Sequence, residues 1–339
     1  MHARRFLRLL TSPSSRTRSI WSLNVCLGHP RLLHPSAFAL YICLVSLAST
    51  ILSTCPNHRK PSARIVSGWE ANEGQFPHQL SLRMVNGSGG VTACGGTIIS
   101  PEWGLTAAHC TAGRVTIVIR AGAVSLTRPV YIFETTKYYN HPLYNEALQT
   151  VVQPHDIGLL EFGRSLIFND NVKPIRIQNS EARSRNYANE LLIASGWGRT
   201  WTLGSSPENL NWVYQTGVSN EECLSAYGGS STIVDSTICS RYYNVTSQST
   251  CQGDSGGPLT HIDDDGQITQ IGVTSFVSFW GCHIGMPAGF IRPGYYHDWF
   301  AEVSGHNFDW DYAKQAKDYP DYNDLSIYNY FLLSFNTTR

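Results

Sequence analysis

Three short segments of this 339-residue chain hold side chains whose types and setting could do chemistry. One is Cys251-Gln252-Gly253-Asp254-Ser255-Gly256-Gly257-Pro258, where a serine lies among small residues. The others are Leu105-Thr106-Ala107-Ala108-His109-Cys110 and His155-Asp156-Ile157-Gly158-Leu159-Leu160. Glycine allows a tight turn and close approach of another molecule, so the amides around Ser255 can point at one spot. A serine hydroxyl is a weak nucleophile alone. Acyl transfer needs a base beside it and N–H donors for the developing oxyanion. In isolation Gly-Asp-Ser-Gly also fits an ordinary turn; Gly-Pro after it and Cys251 before it make chance a weak explanation.

The elements that must position these residues read as strands. From Ile65 onward, short apolar runs are cut by Gly, Pro, Asn and Ser. Alternation in Gln79–Arg83, Gly96–Ile99, Val115–Arg120, Asp156–Phe162, Leu191–Ser195 and Ile268–Ser275 predicts antiparallel strands of a sandwich or barrel. Helical periodicity is scarce before Tyr295–Val303, which reads as a closing helix. No internal repeat or low-complexity tract is present.

In the order His, Asp, Ser, the three segments resemble the chymotrypsin-like serine proteases. The resemblance covers about residues 65–304 and includes Arg64-Ile65-Val66-Ser67-Gly68, Gly196-Trp197-Gly198 and Pro287-Ala288-Gly289-Phe290. The run Gly272–Ser278 is similar to arthropod digestive chymotrypsin-like and collagenolytic enzymes. The resemblance implies an all-β fold of two six-stranded antiparallel barrels, with the active site between them and a C-terminal helix. It implies Ser255 as nucleophile, His109 as the base, Asp156 as its orienting carboxylate, and the Gly253 and Ser255 amides as oxyanion donors. Ser275 resembles the serine that lies near the acidic member in this family. Two other histidines, His141 and His155, lie outside the motif position for the base; His155 reads as a surface or strand-edge residue.

Arg64-Ile65 looks like an activation site, where cleavage frees an α-amino group to pair with the carboxylate of Asp254. A buried charge is costly without its partner, so each requires the other. The family pattern implies disulfides Cys94–Cys110, Cys223–Cys239 and Cys251–Cys282, whereas spacing alone allows fifteen pairings of six cysteines. Cys26, Cys43 and Cys55 fall in the leader. By the same resemblance Ser249 floors the primary pocket, and Val277 and Ala288 form its walls. A neutral floor argues against Lys or Arg selection. Apolar specificity is therefore expected, with elastase-like preference for Ala or Val as the rival and a catalytically silent binding homologue as a different class.

The formal charge of zero is a cancellation: residues 1–64 carry +9, residues 65–304 carry −7, and residues 305–339 carry −2. An acidic body argues against nucleic-acid binding, which needs a basic face. Plentiful apolar residues exclude a disordered or collagen-like chain. Residues 1–64 read as a leader, 65–304 as the protease domain and 305–339 as a disordered tail. Within the leader, residues 37–52 form an uncharged apolar run behind arginines, as in a secretory signal. At ~1.5 Å per residue the run is shorter than a ~30 Å bilayer core. A cleaved signal and a secreted protein are expected, with an uncut anchor over 37–54 as the alternative; the Arg- and Ser-rich stretch before it also fits a mitochondrial presequence.

Asn86 and Asn244 head Asn-x-Ser/Thr triplets suited to glycosylation. Asp263-Asp264-Asp265-Gly266 reads as a solvated hairpin turn rather than a metal site. No cofactor or metal is implied. The expected partners are protein or peptide substrates, an activating trypsin-like protease and protein protease inhibitors, acting on a monomer.

Overall fold

Period-two alternation gives strands such as Arg114–Ala121 and Asn211–Val218 one inward and one outward face, and the strands curl into two barrel-like sheets. The computed structural model describes residues 66–310. The leader, Arg64, Ile65 and the tail beyond Trp310 lie outside the described residues.

A two-residue strand, β1 (Trp69–Glu70), precedes the first sheet. That sheet holds β2 (Gln79–Asn86), β3 (Val91–Ile98), β4 (Trp103–Thr106), β5 (Arg114–Ala121), β6 (Tyr131–Thr135), β7 (Tyr138–Asn140) and β8 (Gly158–Glu161), ordered β6-β5-β2-β3-β4-β8-β7. Strands β6 and β7 are one run interrupted at Thr136 and Lys137: the first half pairs with β5 and the second with β8. The ring is thereby completed through the chain itself.

The second sheet holds β1 with β9 (Arg176–Ile177), β10 (Leu191–Gly196), β11 (Asn211–Val218), β12 (Thr237–Tyr242), β13 (Pro258–Ile262), β14 (Ile268–Phe276) and β15 (Ala288–Ile291). Its order is β1-β11-β10-β13-β14-β15-β12, and the added pairing of β11 with β12 closes six of these strands on themselves. The short β9 lies parallel to β14 at the margin, the one departure from antiparallel pairing in this sheet.

In β5, Ile117, Ile119 and Ala121 point inward while Val115 is exposed. Leu80, Leu82, Ile98, Leu105, Ile119 and Phe162 fill the first barrel, and Leu192, Val213, Leu259, Ile271 and Phe290 the second. Polar bonds join the two: Thr97 Oγ1 donates to Gln270 Oε1 (2.7 Å) and Ser195 Oγ to Gln79 Oε1 (2.6 Å).

Among the described residues there are three short α-helices: α1 (Ala108–Thr111), α2 (Asn220–Ala226) and α3 (His297–Ser304). Helix α3 occupies most of the span predicted for the closing helix; Tyr295 ends a 3-10 turn just before it. Its Trp299 and Phe300 bury against the first barrel. No helix among the described residues is long and apolar enough to cross a membrane.

The stretch assigned to the tail starts on the domain surface as a seated strap. The Trp310 indole N–H donates to Ile177 O (2.7 Å), its ring lies 3.9 Å from the Arg176 guanidinium carbon, and Asp309 accepts from Ser180 N (2.9 Å). The acidic run does form the β13–β14 turn, but it is not freely solvated. Asp263 is buried, and Arg176 binds both it (2.9 Å) and Asp265 (2.6 Å). The cause is the parallel strand β9, which brings a cation alongside the turn.

Candidate active site

Strand β4 is wholly buried and runs into the buried Ala107 and Ala108, so the next residue, His109, emerges on the one-turn helix α1. The Cys94–Cys110 disulfide fixes that turn to β3. Asp156 comes from the loop ahead of β8 and grips His109 with both oxygens. The His109 backbone N–H donates to Oδ1 (2.8 Å) and ring Nδ1 lies 2.7 Å from Oδ2. Ser275 Oγ donates to that same Oδ2 at 2.5 Å. Asp156 is buried, and the His109 side chain is 23% exposed, so the imidazole keeps one edge open. Burial disfavours protonation of His109, but the charge and hydrogen bond of Asp156 outweigh it, and the pKa sits above the ordinary histidine value.

Ser255 lies in the turn between Cys251 and β13. Gly95 N donates to its carbonyl (2.7 Å), and the sulfur of Cys110, next to His109, lies 3.6 Å from the same oxygen. These contacts bring the serine segment beside the histidine segment. The Ser255 hydroxyl has no hydrogen bond among the described residues, to the imidazole or otherwise; such bonds are often loose before substrate arrives. Gly256 has φ +78°, and a Cβ there would meet Thr106 Oγ1 at 2.2 Å and Gly95 O at 2.6 Å, so only glycine fits. The amides alternate in use: Asp254 N donates to Cys251 O and Gly256 N to Thr274 O, while those of Gly253 and Ser255 have no acceptor among the described residues.

Asp254 is fully buried. Its carboxylate accepts from Gly198 N (2.7 Å) and Cys251 N (2.9 Å), and a Cβ on Gly198 would lie 2.3 Å from Oδ2. No ion-pair partner for it occurs among the described residues, and burial pushes its pKa up to about 6 despite those bonds. The chain just after Ile65 runs into the body: Val66 is buried, bridges Ser249 and packs on Cys251 and Cys282.

The three expected disulfides are all formed. Ser249 is buried. Val277 packs both against the cluster holding Ala288 and against the Cys251–Cys282 region. Asn86 closes β2 and accepts from Ser88 N and Gly90 N within the turn, while Asn244 is exposed after β12. The sulfurs nearest His109 belong to a disulfide and are not thiolate ligands, so this cluster is poorly suited to a metal.

His141 and His155 are drawn into the structure more than a surface position implies. They stack on each other beside Asp156, with Tyr296 and Trp299 packed edge-on against His141. Sequence reasoning missed Tyr296; the only hint was its place in an aromatic segment beside the closing helix.

Comparison with known proteins points to one family. Residues 65–300 match the trypsin family model. The chain is 34% identical over 251 residues to trypsin 5G1 of Aedes aegypti, covering 74% of this chain and 88% of that protein. It is 32% identical over 242 residues to a collagenase of Hypoderma lineatum, covering 71% and 88% respectively. Chymotrypsin-like elastase family member 1 of Rattus norvegicus is 34% identical over 247 residues, covering 71% and 90%. The solved structure of HL collagenase superposes with a TM-score of 0.63 at 31% identity, spanning 71% of this chain and 99% of that one.

Proposed function

Because this chain belongs to the trypsin family of serine endopeptidases, we propose that it hydrolyses peptide bonds by a Ser255-His109-Asp156 triad and prefers apolar residues before the cut. Ser255 attacks the scissile carbonyl. His109 takes the hydroxyl proton through Nε2 and later gives it to the leaving amine. Asp156 holds Nδ1–H, fixes the tautomer and stabilises the imidazolium. The tetrahedral oxyanion is received by the amides of Gly253 and Ser255, each such donor being worth roughly 3 kcal/mol.

The observation that carries this reading is the grip of Asp156 on His109 by both oxygens, beside a serine turn two of whose alternate amides have no acceptor among the described residues.

The protein is made as a zymogen cleaved after Arg64. Asp254 is buried and has no cationic partner among the described residues, which supports this, because the Ile65 α-amino group would supply a charge to pair with the carboxylate. That ion pair then holds the Gly198 and Cys251 backbone on either side of the oxyanion turn. A neutral Ser249 with Val277 and Ala288 favours Leu, Met or other medium apolar side chains. Elastase-like preference is the second reading, supported by the branched Val277 where an open pocket needs no side chain. Secretion through the apolar segment of the leader fits three formed disulfides.

A serine-directed fluorophosphonate probe tests the proposal. After trypsin treatment the protein is expected to label and to cleave apolar peptide substrates, and Ser255→Ala is expected to do neither. Absence of labelling in correctly processed wild-type protein would mean a silent homologue.

A further inference from the structure

Asp156 reaches His109 from an awkward piece of backbone. The residue before it, His155, has φ +59°, a left-handed conformation that costs a non-glycine residue on the order of 1 kcal/mol. The chain doubles back there, with Ile157 N donating to His155 O (2.8 Å). At that reversal Asp156 is buried and the His155 ring is half-buried. A strained turn persists when its surroundings over-determine it, and here the surroundings are aromatic. The His155 ring stacks on His141 with centroids 5.2 Å apart and planes 22° apart. Its Nδ1 lies 3.1 Å from the Tyr296 hydroxyl. His141 is held in turn: its backbone N–H donates to Ile157 O (3.1 Å), and its ring meets Tyr296 (4.9 Å) and Trp299 (5.2 Å) edge-on. The turn carrying Asp156 is thus clamped from the β7 side by His141 and from the C-terminal segment by Tyr296.

We propose that His155 is a positioning residue, whose ring, clamped between His141 and Tyr296, holds the left-handed turn that aims Asp156 at His109. The inference rests on the triad reading above and adds the device that sets its carboxylate. The ionisable groups around the pair are Asp156 and Tyr144 on its own loops and Tyr296 from the C-terminal segment. Burial keeps His155 below its ordinary pKa; burial and the neighbouring His155 hold His141 down to about 4. Both rings are therefore neutral near neutrality, where two stacked cations would repel. Their own titration does not account for a change in His109 near pH 7.

The test uses His155→Asn and His155→Gly, which both accept a left-handed backbone, so loss of the ring is separated from loss of the turn's allowed geometry. The processed full chain is assayed for peptide hydrolysis, and the His109 imidazole is titrated by NMR, which needs no turnover. Both variants are expected to lose kcat roughly ten- to a hundredfold with little change in KM, and to titrate His109 at lower pH than wild type. His141→Ala is expected to behave alike, and His141→Phe, which keeps a stacking ring, to restore the wild-type titration. If the folded His155 variants match wild type in kcat and in the His109 midpoint, whatever their Tm, the clamp has no positioning role and the proposal is overturned. If wild type itself fails to hydrolyse peptides while the midpoint still moves in the variants, the proteolytic reading falls and the positioning relationship stands.

Discussion

Ser275 and His109 share one oxygen: the serine hydroxyl donates at 2.5 Å to the same Asp156 Oδ2 that lies 2.7 Å from the imidazole Nδ1. A carboxylate oxygen that accepts a second hydrogen bond attracts the first proton less strongly. Ser275→Ala removes that competitor and also one of the groups fixing the carboxylate. We expect kcat to fall about tenfold while the acid limb of the pH profile moves to higher pH. A pH series on the purified variant measures both, and an acid limb displaced to lower pH would contradict the shared-oxygen argument.

The reaction needs a neutral imidazole, so kcat/KM should rise with pH through an apparent pKa above the ordinary 6.5 of histidine, the direction in which Asp156 drives His109. Asp156→Asn takes away the charge and leaves an amide that stabilises the wrong tautomer. Activity near pH 7 should drop roughly 10⁴-fold, the loss seen in the type case of this mechanism. An acid limb below 6.5 in the wild-type enzyme would count against this electrostatic account of the site.

Under the proposed activation, Asp254 makes stability depend on pH. Its carboxyl is pushed up to about 6 by burial, against 3.8 when free. A raised folded-state pKa favours the protonated acid, so this contribution to stability is complete below 3.8 and is lost as pH rises through about 6. Unprocessed Arg64→Gln protein should therefore melt further below processed wild type at pH 7.5 than at pH 4.5, a difference in which the histidines that burial keeps neutral in both forms cancel. Processed wild type, with an α-amino cation for Asp254, should lack this loss. Differential scanning calorimetry of both forms decides it; parallel pH trends would show that the amine does not reach the carboxylate.

Gly256→Ala should be among the most damaging single-atom additions in the chain. The new Cβ would press on backbone at Gly95 O (2.6 Å) as well as on Thr106, and φ +78° is strained for alanine. Overlap with backbone cannot be relieved by a rotamer change. A cost of about 2–4 kcal/mol is expected, with activity lost because Thr106 and Ala107 lead directly to His109. Denaturant unfolding measures the cost, and a change under about 0.5 kcal/mol would place the turn differently.

Much of this was legible in the residues because the signals were local. Alternation marked β2, β5, β10 and β14, and the segments around His109, Asp156 and Ser255 carried the candidate site and its order. What was not legible depends on residues brought together only by folding. Tyr296 lies far in sequence from His141 and His155, and nothing near any one of them announces a stack. Likewise Arg176 meets Asp263 and Trp310 only because a two-residue parallel strand carries it beside the β13–β14 turn, which makes an apparently solvated acidic run part of an ion-pair network. The break between β6 and β7 was not legible because Thr136 and Lys137 differ little in type from Glu134, Thr135 and Asn140, which lie inside these strands; the interruption lets the first half pair with β5 and the second with β8.

The pocket assignment predicts opposite outcomes at two positions. Ser249 is buried and neutral, so Ser249→Asp would place a carboxylate where an incoming Lys or Arg could pair with it, and basic residues should become acceptable before the cut. Val277 packs between the cluster holding Ala288 and the Cys251–Cys282 region. Val277→Gly removes its branched side chain and should widen the entrance, so Phe and Tyr gain on Leu and Met by about tenfold, the scale of one or two methylene-sized contacts. A peptide-library profile of processed wild type and both variants measures the shifts together. Dominant wild-type cleavage after Lys or Arg would remove Ser249 from the pocket floor. An unchanged aromatic-to-aliphatic ratio in Val277→Gly would mean that the exposed Phe279-Trp280 segment, not Val277, borders the entrance.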